Sequence, residues 1–192
     1  MGGLFLLFLK CVYLMVPAYF ANMAPPLVKK FRLWESLNVP IDAGKTFSDG
    51  KPLFGKNKTY RGFVVGVIGG IIGAYLQMML LNVHFFNSIT INVPIYSAHL
   101  SVISIGALLG FGAIAGDLIE SFFKRRLSVD PGERFVPWDQ IDLVIGAYIF
   151  SLPMLYADVT WQMLLISIIA TFFLHILINH IAFYLNIRKE KW

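Results

Sequence analysis

The sequence predicts an all-α, polytopic membrane helix bundle, and three observations support this fold class. Apolar residues make up 57% of the 192 residues and charged residues only 14%, where a soluble domain carries roughly 25% charged residues. The apolar residues fall in runs close to the ~20 residues needed to cross a hydrocarbon core of about 30 Å, unlike the short alternating strands of an outer-membrane barrel. The single Cys11 has no partner, which excludes a disulfide scaffold and a thiolate zinc cluster.

Five apolar stretches are predicted to be transmembrane helices. The first is followed, not preceded, by basic residues, so we interpret it as a span and not as a secretory signal. Glycines recur at intervals of four in the second and third stretches, a pattern typical of closely packed membrane helices. The length suits one bundle, so we expect a single domain over residues 1–192. The five stretches are Leu4 to Ala24, Phe63 to Leu81, Leu100 to Ile119, Ile141 to Tyr156 and Trp161 to Leu185.

The basic residues predict the orientation of these spans. Of the 16 Lys and Arg residues, eight lie in residues 29–61, four in residues 124–134 and three in the tail, namely Arg188, Lys189 and Lys191. The connections at 82–99 and 157–160 contain none. The positive-inside rule therefore places the N-terminus outside and both long basic loops and the C-terminus in the cytoplasm.

Acidic residues are concentrated between residues 117 and 142, and the positive-inside rule, which concerns Lys and Arg, does not explain them. Six of the 11 lie between residues 117 and 142, and Asp117 falls about 25 Å along the third span, close to its inner boundary. Asp117, Glu120, Ser121 and Lys124 share one helical face by their spacing. Asp139 and Asp142 open the fourth span at the same level. The sequence thus predicts that carboxylates from two helices converge at the cytoplasmic boundary.

Two interpretations of these acids remain open. Each acid alone could be an interfacial residue paired with Lys124, Arg125 or Arg126, whereas the cluster favours a bound cation, because intramembrane carboxylates cost about 2.5 to 3.5 kcal/mol even on lenient scales. Mg²⁺ is the expected ion, since it prefers carboxylates, water and phosphate oxygens.

A second candidate element is the loop over residues 54–62, which leads into the second span. Lys58, Thr59 and Arg61 lie between glycines at a predicted helix N-terminus, where backbone N–H groups and the helix dipole favour phosphate. The order of residues is not that of a Walker A motif. A helix start beside an anionic leaflet is the alternative interpretation.

The acidic motifs resemble a known family signature. The strings Gly116 to Arg125, Asp130-Pro131-Gly132 and Pro137 to Asp142 resemble the membrane CTP:phosphatidate cytidylyltransferase superfamily. Gln140 stands where that pattern has Arg, and its His-Gly-Gly is missing, which together with the small size and the 55–62 segment resembles the archaeal branch, the CDP-archaeol synthase family. The matching positions are Ser121, Lys124, Arg125, Asp130, Gly132, Pro137, Asp139 and Asp142.

The resemblance implies transfer of CMP from CTP to an unsaturated archaeal ether lipid phosphate, 2,3-bis-O-(geranylgeranyl)glycerol phosphate, with release of pyrophosphate in the presence of Mg²⁺. It implies a multi-pass protein of the cell membrane with its active site at the cytoplasmic face. For this reaction we expect Lys124, Arg125 and Asp142 to act in catalysis. We expect the metal ligands to be Asp117, Asp130, Asp139 and Asp142, and the substrate-binding residues to be Lys58, Thr59, Arg61, Ser121 and Arg126.

Two other functions fit the sequence less well. A cation transporter would require polar residues through the bilayer midplane, whereas here they gather at one boundary. A CDP-alcohol phosphotransferase shares the spacing of Asp139 and Asp142, but Leu143 and Val144 stand where its motif continues with Gly and Ala-Arg. The expected partners are CTP, the isoprenoid lipid phosphate and the bilayer, with no nucleic acid; a homodimer remains open.

Overall fold

A computed structural model describes residues 2–130, 133 and 135–187. The predicted motif residue Gly132 and the predicted loop and tail cations Arg134, Arg188, Lys189 and Lys191 lie outside the described residues. The described residues form helices and turns without a β-strand, which confirms the all-α class. The helices are α1 (Gly3–Leu14), α2 (Val16–Lys30), α3 (Tyr60–Leu80), α4 (His84–Ile89), α5 (His99–Arg126), α6 (Trp138–Leu155) and α7 (Trp161–Tyr184).

The helices α3, α5 and α7 are each long and apolar enough to cross a membrane. The pair α1 and α2 also meets these criteria if it is taken as one bent span. Helix α6 coincides with the predicted fourth span, but its 18 residues include Asp139 and Asp142 in the first turns. The described part of the chain is therefore a membrane-capable helix bundle with three or four clear spans.

The first predicted span is not one straight helix. It bends by 41° between α1 and α2, and Pro17 stands in the first turn of α2. Proline has no N–H to donate to the carbonyl four residues earlier, which here is that of Tyr13. The buried Gln77 of α3 supplies the missing donor, because its Nε2 lies 2.5 Å from the Tyr13 oxygen. The bend is thus stabilised by a polar group from a neighbouring helix.

Glycines bring α5 and α6 into backbone contact. A Cβ at Gly112 or at Gly146 would overlap the carbonyl oxygen of the other residue, and a Cβ at Gly116 would overlap the carbonyl oxygen of Asp142. Without side chains at these positions, the two helices approach closely, as expected in a membrane where small residues make the interfaces. This contact places the start of α6, with its acids, directly beside the last third of α5.

The basic segments and the acids share one end of the bundle. Lys30, at the end of α2, donates a hydrogen bond to the Leu185 carbonyl after α7, and Lys51 bonds the Arg126 carbonyl at the end of α5. The opposite end is joined by Asn92, whose amide donates to Asp158 at 2.7 Å. The basic segments and the connections that contain Asn92 and Asp158 therefore lie at opposite ends of the bundle.

Candidate active site

Three carboxylates from two helices meet at the α5–α6 contact. Asp117 and Glu120 of α5 and Asp142 of α6 each offer an oxygen atom, and these oxygens all lie within 4.8 Å of one another. Glu120 is buried, while Asp117 and Asp142 are partly buried. The predicted convergence of acids from neighbouring helices is therefore present, although Glu120 stands in the group where the sequence favoured Asp139.

Lys58 supplies a positive charge to this acidic trio, a name we use for Asp117, Glu120 and Asp142. Its ammonium lies 2.7 and 2.6 Å from the two carboxylate oxygens of Asp117. Burial by itself would lower the pKa of Lys58, but the attraction and hydrogen bonds of Asp117, with Asp142 and Glu120 nearby, raise that pKa above its ordinary value. Lys58 is therefore the residue of the 54–62 loop that reaches the acids.

Lys124 links the acids to the connection before α6. Its ammonium donates hydrogen bonds to Asp139 at 2.8 Å and to the Glu133 carbonyl at 2.7 Å. It also lies 3.3 Å from Glu120. Asp139 in turn accepts a bond from the Phe135 N–H. Asp139 therefore fits the first interpretation of the acids, an interfacial residue paired with Lys124.

The charges around the acidic trio do not balance. Lys58 pairs with Asp117, and Lys124 pairs with both Glu120 and Asp139, whereas no ion pair is formed by Asp142 within the described residues. With all four carboxylates ionised, the trio and Asp139 together with these two ammonium groups have a formal charge of −2. The buried Glu120 Oε1 has the Lys124 ammonium 3.3 Å away as an ion-pair partner, but it accepts no well-aligned hydrogen bond among the described residues. Hard oxygen donors with an uncompensated charge of two fit a divalent cation such as Mg²⁺.

Asp42 organises the loop that carries Lys58. Its buried carboxylate accepts hydrogen bonds from the N–H groups of Gly44, Phe54 and Gly55. The loop closes where the Ile41 N–H bonds the Lys58 carbonyl at 2.8 Å. Burial alone would raise the pKa of Asp42, but the three backbone donors outweigh it and lower that pKa. Sequence reasoning missed Asp42, because no spacing rule links a loop carboxylate to N–H groups twelve residues away.

We expect Asp42→Asn to destabilise the protein by about 1 to 3 kcal/mol, because the new amide N–H₂ would face backbone donors. The contribution of the ionised carboxylate is complete above its ordinary pKa of about 3.9 and is lost as the pH falls through the lowered native value. Thermal unfolding in detergent between pH 3 and pH 7 measures this. A variant whose stability and acid sensitivity equal those of the unmodified chain would contradict the role of Asp42.

An open cleft of about 480 Å³ lies beside this loop at the end of α5. Arg125 lines it, and the buried Arg125 Nε has no hydrogen-bond partner among the described residues. Arg125 lies two turns past Asp117, about 12 Å along the helix axis. Lys51, Lys56 and Asp130 also line the cleft. The cleft thus contains three basic residues and two acids, and it holds an arginine whose Nε–H lacks a partner among the described residues, two helical turns from Asp117.

The other predicted binding residues make contacts within the protein. Thr59 caps α3 by accepting from the Gly62 N–H at 3.2 Å. Arg61 is buried and pairs with Glu35 at 2.6 Å. Arg126 pairs with Asp49 at 2.9 Å and stacks on Phe47 and Phe122, and Ser121 bonds Glu120. The Tyr60 N–H donates to the Val39 carbonyl, so the start of α3 is largely satisfied internally.

Proteins of one family resemble this chain along nearly its whole length. The family model of the CarS-like CDP-archaeol synthases matches residues 4–192. The CDP-archaeol synthase of Methanoculleus marisnigri is 35% identical over 93% of this chain and 100% of its own. Those of Methanocaldococcus jannaschii and Archaeoglobus fulgidus are 35% and 37% identical, each over 97% of this chain and 98% of their own.

A solved structure also resembles the fold. It is described as an intramembrane enzyme for archaeal membrane lipids biosynthesis, and it is 25% identical with a TM-score of 0.67. The similarity covers 88% of this chain and 91% of that one. The similarity in fold therefore extends over most of the bundle.

Proposed function

The chain belongs to the CDP-archaeol synthase family and is a CTP-using cytidylyltransferase, and from this premise we propose how its residues act and on which lipid. The lipid substrate is an unsaturated archaeal ether lipid phosphate, the 2,3-bis-O-(geranylgeranyl)glycerol phosphate that the sequence resemblance implies. Its phosphate oxygen attacks the α-phosphorus of CTP, a new P–O bond forms to the CMP unit, and pyrophosphate leaves. The observation that carries this proposal is the acidic trio beside a basic cleft.

In this proposal Asp117, Glu120 and Asp142 hold Mg²⁺. The bound ion would act as a Lewis acid that neutralises phosphate oxygens. The support is the chemistry of the donors: three carboxylates offer oxygens within 4.8 Å of one another, and together with Asp139, Lys58 and Lys124 they form a cluster with a formal charge of −2. Asp139 and Asp130 lie outside the trio, and their role as ligands stays a prediction.

Basic side chains then hold the phosphates. Arg125 offers its guanidinium to the cleft, where a two-pronged contact with a phosphate would satisfy its buried Nε. Lys58 lies between the cleft-lining Gly55 and the trio, so its ammonium can reach phosphate oxygens near the acids. A phosphate monoester is ionised near neutral pH, so the chain needs no strong base and acts by positioning and charge neutralisation. Lys124 keeps Asp139 and the Glu133 carbonyl in place.

We further propose that five spans cross the membrane, with the N-terminus outside and the active site at the cytoplasmic face. The support is the grouping of the basic loops, the acidic trio and the end of α7 at one end of the bundle. CTP would then enter from the cytoplasm while the isoprenoid chains stay in the bilayer. A transporter and a CDP-alcohol phosphotransferase fit the family membership less well.

Pyrophosphate release by the purified protein in detergent tests this function. We expect turnover only when CTP, Mg²⁺ and the geranylgeranyl ether lipid phosphate are all present, and a chelator of divalent cations should stop it. Replacing the lipid by a bacterial ester lipid phosphate should lower the rate, because the chains differ in linkage and branching. Absence of turnover with any lipid phosphate would contradict the proposal, and equal rates would contradict the lipid assignment.

A further inference from the structure

We infer that the Lys58 ammonium competes with the metal ion for the carboxylates of the acidic trio. The ammonium pairs with Asp117 until a divalent cation displaces it. This inference rests on the proposed metal centre. It concerns a second role of Lys58, before any phosphate arrives.

The position of the ammonium supports this role. It bonds both oxygens of Asp117 at 2.6 and 2.7 Å, so neither oxygen is free of it. A divalent ion on the same carboxylate would bring like charges within a few ångströms, where repulsion in a partly buried site is strong. Metal binding and the Lys58–Asp117 ion pair therefore weaken each other.

Of the two ammonium groups at this site, that of Lys58 is the one that can leave the carboxylates. Its only described ion-pair partner is Asp117, and its side chain keeps 23% of its exposure. Lys124, by contrast, is 9% exposed and contacts Asp139, Glu120 and the Glu133 carbonyl. Displacing Lys124 would disrupt its contacts with three residues, whereas displacing Lys58 disrupts, within the described part of the chain, its contacts with Asp117 alone.

The backbone of Lys58 is held by hydrogen bonds on both its N–H and its carbonyl group, whereas its side chain is held, among the residues that the structure describes, only by Asp117. The Lys58 carbonyl accepts from Ile41 and its N–H donates to the Gly55 carbonyl. The next residue, Thr59, caps α3. Departure from Asp117 thus requires only rotation about side-chain bonds, and it leaves the ammonium near the basic cleft, ready to pair with a phosphate.

Mn²⁺ binding to the full chain in detergent, without nucleotide, tests this inference. We expect Lys58→Met, which keeps an unbranched side chain but removes the charge, to bind Mn²⁺ about tenfold more tightly than the unmodified chain. Lys58→Arg should keep the weaker binding. Lys45→Met is the matched control, because Lys45 is exposed in the same loop, and it should leave the affinity unchanged. Equal or weaker binding by Lys58→Met would overturn the inference.

Amine labelling of the unmodified chain decides the question even if the variant fails to fold. Reductive methylation read by mass spectrometry should modify Lys58 more in the presence of Mn²⁺, with Lys45 as internal reference. Unchanged labelling would overturn the inference. If Mn²⁺ binds neither protein, the proposed metal centre itself fails. If Mn²⁺ binds and Asp142→Asn abolishes it while Lys58→Met has no effect, only the role of Lys58 is contradicted.

Discussion

Asp142→Ala is expected to abolish pyrophosphate release, with a loss of at least about a hundredfold in kcat/KM. Asp142 is the member of the acidic trio that α6 contributes, so its removal leaves only the two carboxylates of α5. The remaining site would have fewer donors and one negative charge less, and it would hold a divalent cation poorly. The pyrophosphate assay with CTP varied below its KM measures the effect on kcat/KM, and raised Mg²⁺ should restore part of the activity.

Asp158→Ala is the matched control for this experiment. Asp158 is an acid at the opposite end of the bundle, bonded to Asn92, so its loss should leave the rate within about twofold. Asp142→Asn separates charge from size, because it keeps the shape of the side chain. Full activity in either Asp142 variant would contradict the assignment of Asp142 to the metal.

Gly146→Ala is expected to destabilise the bundle by about 1 to 3 kcal/mol or more, as overpacking does. Its Cβ would overlap the Gly112 carbonyl oxygen, and backbone cannot move aside as a flexible side chain can. The two helices would have to separate, which also shifts Asp142 away from Asp117. We therefore expect a lower midpoint of thermal unfolding in detergent together with a loss of activity.

Gly3→Ala provides the comparison for this substitution. It is the same change within a helix, but nothing lies within 4 Å of the added Cβ. It should leave both unfolding and activity unchanged, or raise stability slightly through helix propensity. A Gly146→Ala protein as stable and as active as Gly3→Ala would show that close approach of α5 and α6 is not required.

Hydropathy predicted the positions of most helices because each apolar run is long and bounded by polar residues. Helix α7 begins at the predicted Trp161, and α3 and α5 begin within a few residues of their predicted starts. The bend at Met15 was not predicted, because it depends on Pro17 together with Gln77, a partner 64 positions from the Tyr13 carbonyl that it bonds. Helix α5 extends to Arg126, beyond the predicted Ile119, because the apolar run ends at the first charged residues whereas the helix continues through them.

The sequence predicted that Asp117 and Asp142 meet, because Asp117 falls near the end of its span at the level where the next span begins with Asp142. The sequence favoured Asp139 where the structure groups Glu120 with Asp117 and Asp142, because the position of Asp139 depends on its pairing with Lys124 across the two helices. The contacts of Arg61 and Arg126 with Glu35 and Asp49 were likewise not predictable, because they join loops distant in sequence. Side-chain pairing between distant elements is therefore the part of the site that the sequence alone does not predict.

Anomalous diffraction from crystals of the protein grown with Mn²⁺ would show whether acids of two adjoining helices bind one divalent cation at the basic end of the bundle. We expect an anomalous peak within bonding distance, about 2.0 to 2.3 Å, of oxygens from Asp117, Glu120 and Asp142, with Lys58 withdrawn from Asp117. A peak elsewhere, or none in the presence of bound CTP, would contradict it.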